Sequence, residues 1–93
     1  MITHVVLMKF ADPANREEAK ARLEALAPDI PQIRSLHVGL DVVGSPVSYD
    51  LALTTTHESV DELKAYQGHP VHEAFGGWLR PLLDARVVVD YES

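Results

Sequence analysis

The stretch Ile2-Thr3-His4-Val5-Val6-Leu7-Met8-Lys9-Phe10 opens the chain with β-branched residues and with apolar side chains on both alternating sides. Val6, Met8 and Phe10 fall on one side and Val5 and Leu7 on the other, so a strand here must be buried on both faces. The end of the chain repeats the pattern: from Ala85 to Tyr91, Val87 and Val89 alternate against Val88. Both faces of any sheet built from these two strands need a cover.

The segments between them set the topology. Asp12 is a fair N-cap and Pro13 a fair first helical residue. Ala14 to Leu26 then puts Ala19, Leu23 and Leu26 on one face and Arg16, Glu17, Lys20 and Glu24 elsewhere, which predicts an amphipathic helix ended by Pro28 and Pro31. Ile33 to Val43 alternates Leu36, Val38, Leu40 and Val42 against Ser35, His37, Gly39 and Asp41. After the turn residues Gly44-Ser45-Pro46, Ser48 to Thr56 sets Tyr49, Leu51 and Leu53 on one side, so these two strands should form a hairpin. Ser59 and Glu62 make a capping box for a helix through Val60, Leu63 and Tyr66, and Gly68 suits its end. His69 stands at an N-cap position before Pro70, which starts a segment through Phe75 and Trp78 to about Leu83.

The order is β-α-β-β-α-β. Right-handed crossovers around a central hairpin predict an α+β, ferredoxin-like antiparallel sheet of strand order 4-1-3-2, in a single domain over residues 1–93. Helices can cover only one face of that sheet. A second copy packed sheet to sheet would bury the other, closing a dimeric α/β barrel, so the expected partner is the chain itself as a homodimer.

Composition narrows the function. With 14 acidic against 8 basic residues the net charge is −6, which leaves no basic surface for phosphates and argues against nucleic acid or an anionic membrane as partner. There is no cysteine, hence no disulfide framework or thiolate metal site. No apolar run reaches membrane-spanning length and no basic leader precedes an apolar stretch, so the expected location is the cytoplasm.

Chemistry concentrates in Tyr66-Gln67-Gly68-His69-Pro70-Val71-His72, one phenol and two imidazoles at a helix break. In the first turn after Pro70, the helix dipole should keep His72 neutral and able to accept a proton. Tyr66 is the natural donor to a carbonyl or enolate oxygen. Strand four beside strand one puts His4 and Asp90 near the same end, where Asp90 could orient either His4 or His72. Those parts suit proton abstraction next to a carbonyl, followed by aldol-type closure or isomerisation.

The opening His4-Val5-Val6-Leu7-Met8-Lys9-Phe10, the Ile30-Pro31-x-Ile33 turn with Val38-Gly39, the Tyr66-x-x-His69-Pro70-x-His72 segment and the closing Val89-Asp90-Tyr91 resemble the stress-responsive A/B barrel domain family, also called Dabb. The resemblance spans essentially the whole chain. It implies the homodimeric barrel reached above, in a family where most members have no assigned reaction. One plant branch consists of polyketide cyclases that use a histidine base and a pocket tyrosine. By motif position His72 would correspond to that base, Tyr66 to that tyrosine and His4 to a pocket histidine, and Phe75-Gly76-Gly77 resembles a Phe-Gly segment of that branch. Fold and family do not by themselves confer an activity.

The catalytic candidates are therefore His72, Tyr66, His4 and Asp90, with His69, Phe75, Trp78 and Met8 as ligand contacts. Each has a plainer reading: His69 as a helix cap, Tyr66 as a core ring, His72 and His4 as packed histidines, Phe75 and Trp78 as core. His37 and His57 are expected to be solvated. A metal site from His69 and His72 with Glu73 or His4 is weakened by the helix break, and neither metal nor cofactor is assigned. The ligand expected is a hydrophobic carbonyl compound, with enzyme status left open. The competing functions are a cofactor-independent or haem-linked monooxygenase, as for other dimeric barrels of this size, and a non-enzymatic stress or oligomerisation scaffold.

Overall fold

The computed structural model describes residues 1–93. Its elements are β1 (Ile2–Phe10), α1 (Arg16–Leu26), β2 (Ser35–Leu40), β3 (Leu51–His57), α2 (Val60–Gln67), α3 (Pro70–Leu79) and β4 (Leu83–Glu92). The four strands pair antiparallel in the order β2-β3-β1-β4, the ferredoxin-like arrangement. No helix is long and apolar enough to cross a membrane.

Register fixes what each face carries. Val6 lies between Leu53 and Val88, and Met8 between Leu51 and Arg86. Of these, Val6, Met8, Leu51 and Leu53 join Ile2, Phe10 and Val38 as the sheet's half of the core. The helices supply Ala19, Leu23 and Leu26 from α1, Leu63 and Tyr66 from α2, and Phe75 and Leu79 from α3. Each fully buried leucine there contributes about 1.5–3 kcal/mol. The opposite face is bare: Leu7, Val87, Val89 and Tyr91 are all exposed along β1 and β4.

Three boundaries depart from expectation, each through backbone hydrogen bonding. The hairpin strands stop at Leu40 and begin at Leu51, where carboxylates of the connecting segment accept from main-chain amides. Asp41 accepts from Gly44 at 2.7 Å and Asp50 from Phe10 at 2.8 Å, while Gly44 turns with φ +66°. Asp12 accepts from Ala14 as an N-cap, but the turn over Pro13–Asn15 is 3₁₀ and α1 starts at Arg16. At the other end α3 stops at Leu79, since Pro81 has no amide to continue the ladder, and a 3₁₀ turn follows.

Candidate active site

The β1–β4 register makes His4 and Asp90 direct cross-strand partners. His4 Nδ1 and Asp90 Oδ1 are 2.5 Å apart, with the imidazole 2% and the carboxylate side chain 39% exposed. An ionised carboxylate only accepts, so His4 Nδ1 carries the hydrogen and donates it to Asp90. Asp90 thus orients His4 and not His72.

His72 is held by the helix break. Were α2 to run on, the Val71 amide would bond the Gln67 carbonyl; instead it donates to His69 Nδ1 at 3.1 Å, making His69 the N-cap of α3. The Gln67 carbonyl is left free and takes the His72 Nδ1 hydrogen at 3.0 Å. That fixes Nε2 of His72 as its acceptor.

Tyr66, at the end of α2 and 1% exposed, is the hub of a ring cluster. His72 meets it edge-on at 4.6 Å between centroids, His57 stacks on it at 5.0 Å and 25°, and His4 lies 6.2 Å away. The expectation of a solvated His57 is overturned. Its side chain is fully buried, with Nδ1 donating to the Gln32 carbonyl at 2.7 Å and Nε2 paired with the Thr55 hydroxyl at 2.8 Å. Both nitrogens are satisfied, so His57 is a platform for Tyr66 with no lone pair to offer. His37 is exposed, as expected.

These groups border a cavity of about 170 Å³ between the sheet and α3, the size class that takes a single benzene-sized ring. His4, Tyr66 and His72 line it with apolar walls that include Met8 and Phe75, while Arg80 and Arg86 add two guanidinium groups. Burial pushes the Tyr66 phenol up to about 12, against a smaller opposing pull from Arg86. Burial also holds His72 below its ordinary 6.5; the Gln67 carbonyl opposes this, and the charges of Arg86 and His4 reinforce it. The direction is the one expected, and its main cause is desolvation. His57 is lowered too, again chiefly by burial, with the Gln32 carbonyl opposing.

Of the sequence candidates, His4, Asp90, Tyr66, His72, Met8 and Phe75 come together around this cavity, Asp90 through its bond to His4. Two do not. His69 is spent on capping, and Trp78 packs outward beneath the Arg22 guanidinium, 4.1 Å from its ring centroid. No three His, Cys, Asp or Glu residues are grouped to hold a metal ion. Sequence reasoning passed over His57, Arg80 and Arg86. His57 alone had a signal, the alternation Leu51, Leu53, Thr55, His57 continuing one step further along the buried face.

A ferredoxin-like α+β sheet with an acid–base cavity beneath its helices is the class these features define. Over residues 2–93 the sequence matches the stress-responsive A/B barrel domain, and the chain belongs to that family. It is 32% identical over 97 residues to an uncharacterised protein of Streptomyces coelicolor, covering 99% of each chain. It is 28% identical over 95 residues to olivetolic acid cyclase of Cannabis sativa, covering 97% of this chain and 94% of that one. A crystal structure of a dimeric ferredoxin-like protein of unknown function from Thermobifida fusca matches with a TM-score of 0.87 at 29% identity, covering 99% of this chain and 90% of that one.

Proposed function

We propose that this protein is a homodimer that binds a small, hydrophobic carbonyl compound and moves a proton at the carbon beside the carbonyl, as a cyclase or isomerase does. The observation that carries this reading is the pairing, on one cavity wall, of a buried neutral phenol with a half-buried imidazole whose Nδ1 is tied to the Gln67 carbonyl. His72 Nε2 takes the proton. The electron pair left on carbon delocalises onto the carbonyl oxygen, and the Tyr66 hydroxyl donates a hydrogen bond to that oxygen. Collapse onto a second carbonyl of the same molecule forms the new carbon–carbon bond and an alkoxide that takes the proton back from His72, while return of the proton at another carbon gives an isomer instead. His4, oriented by Asp90, is the second proton station. The likeness to a protein named as a cyclase supports the same class of chemistry.

Exchange of the methyl hydrogens of acetophenone for deuterium, followed by proton NMR, tests the reading with a ketone small enough for the cavity. Wild type should accelerate exchange, and His72→Ala should lose about 10²–10⁴-fold. Equal rates for wild type and His72→Ala would sink it.

A further inference from the structure

We propose that Arg80 and Arg86 form a carboxylate clamp on the rim of this cavity, so that its ligand carries a carboxylate beside its apolar, carbonyl-bearing part. The description of that ligand as a substrate rests on the acid–base reading above; the clamp itself does not.

The arginines divide by place. Arg16 and Arg22 lie against Glu17 and Glu18, and Arg34 reaches Glu62. Arg80 and Arg86 make no ion pair or side-chain hydrogen bond within the chain, although acidic residues outnumber basic ones and the net charge is −6. They come from different elements, one at the end of α3 and the other on β4, and both line the same cavity. Local packing makes room for one of them. Gly76 also lines the cavity, and a Cβ there would lie 2.8 Å from Arg80 Nη1, so the absence of a side chain lets the guanidinium lie across α3. The Arg86 charge is felt inside, where it favours the ionised phenol of Tyr66 and disfavours protonation of His72.

A planar guanidinium fork matches a carboxylate. A phosphate fits the place less well. Phosphate sites commonly use free amides at a helix N-terminus, but α3 starts with Pro70 and its Val71 amide is taken by His69. Arg80 instead sits at the C-terminal end of α3, where the helix dipole opposes a dianion more than a monoanion.

Calorimetric titration of the intact protein at pH 8 with benzoate, its neutral counterpart benzamide, and phenyl phosphate tests the clamp while imidazole charges are suppressed. Benzoate should bind at least about tenfold tighter than benzamide, as expected for charge-assisted hydrogen bonds. Arg80→Gln/Arg86→Gln should erase that preference and leave benzamide unchanged; Arg80→Lys and Arg86→Lys, checked for fold by circular dichroism, should weaken it. Equal binding of benzoate and benzamide, a preference that survives the double substitution, or binding of phenyl phosphate without benzoate each overturns the proposal. The two readings fail separately. A benzoate preference without ketone exchange in wild type would discard the acid–base chemistry alone, and exchange without the preference would discard the clamp alone.

Discussion

Tyr66 joins a buried ring to a hydroxyl that makes no hydrogen bond within the chain and is not sealed from the cavity. Replacing it by Phe keeps the stack on His57 and the edge contact with His72. Tyr66→Phe should therefore change the unfolding free energy by less than about 1 kcal/mol while slowing ketone exchange by about 10²–10³-fold. Parallel urea titrations and exchange rates check this; a large stability loss with unchanged exchange would make the hydroxyl structural. His57 should behave oppositely. His57→Ala strands the Gln32 carbonyl and the Thr55 hydroxyl, at about 1–3 kcal/mol each, and removes the platform under Tyr66. Histidine burial also sets a pH dependence. His57 and His72 are depressed below 6.5 in the folded chain, so below that pH the unfolded chain binds more protons than the folded one. Stability should be full above about pH 6.5 and fall as acidity approaches the folded-state values. Urea midpoints at pH 7.5 and 5.5 should differ in that sense, and less so in His57→Gln; an unaltered slope in that variant would exclude His57 as a cause. At this scale legibility followed chemistry: the acid–base residues stood out as types, whereas Arg80 and Arg86 resemble ordinary surface charges until the fold turns them to one opening.

The break between α2 and α3 is an element-scale device in which one capping histidine fixes a second histidine. His69→Ala should cost about 0.5–2 kcal/mol, and His69→Asp should restore most of it, since an aspartate can also accept from the Val71 amide. If His69 only caps, the Asp variant also retains ketone exchange. Loss of exchange in a stable His69→Asp protein would return His69 to the cavity. The helix starts at Ser59 and Pro70 were readable because caps are local, whereas Asp12 caps only the 3₁₀ turn ahead of α1. Even so, the capping box closes differently from expectation: Ser59 accepts from the Glu62 amide, while the Glu62 carboxylate reaches the Glu58 amide. The strand ends at Leu40 and Leu51 were not readable. They go with the amides from which Asp41 and Asp50 accept, and Phe10, one of those donors, is distant in sequence.

At the scale of the molecule, the order of elements gave the topology, and the two-sided apolar pattern of β1 and β4 gave the bare sheet face, whose exposed members include Leu7, Val87 and Val89. Burying such a face against a second copy removes apolar area from water at about 25 cal/mol per Å². Sedimentation at micromolar concentration should therefore give a dimer, and Val87→Lys/Val89→Lys should shift it to monomer by setting charges into the contact. A monomeric wild type would end the dimer reading. The cavity volume could not be read beforehand, because it depends on the side-chain packing of Leu23, Phe75 and Leu79 against the sheet.

The bond between His4 and Asp90 joins positions 86 residues apart. During synthesis His4 leaves the ribosome 86 residues ahead of Asp90 and waits for it, while β1 has no β4 beside it. The imidazole–carboxylate pair therefore cannot form as the chain emerges; it forms only once strand four lies along strand one. A chain halted after residue 89 should lack the oriented imidazole even where the helices have formed. Histidine NMR of such a truncated protein, with a His4 ring signal displaced from that of the full chain, would register the difference; coincident signals would deny it.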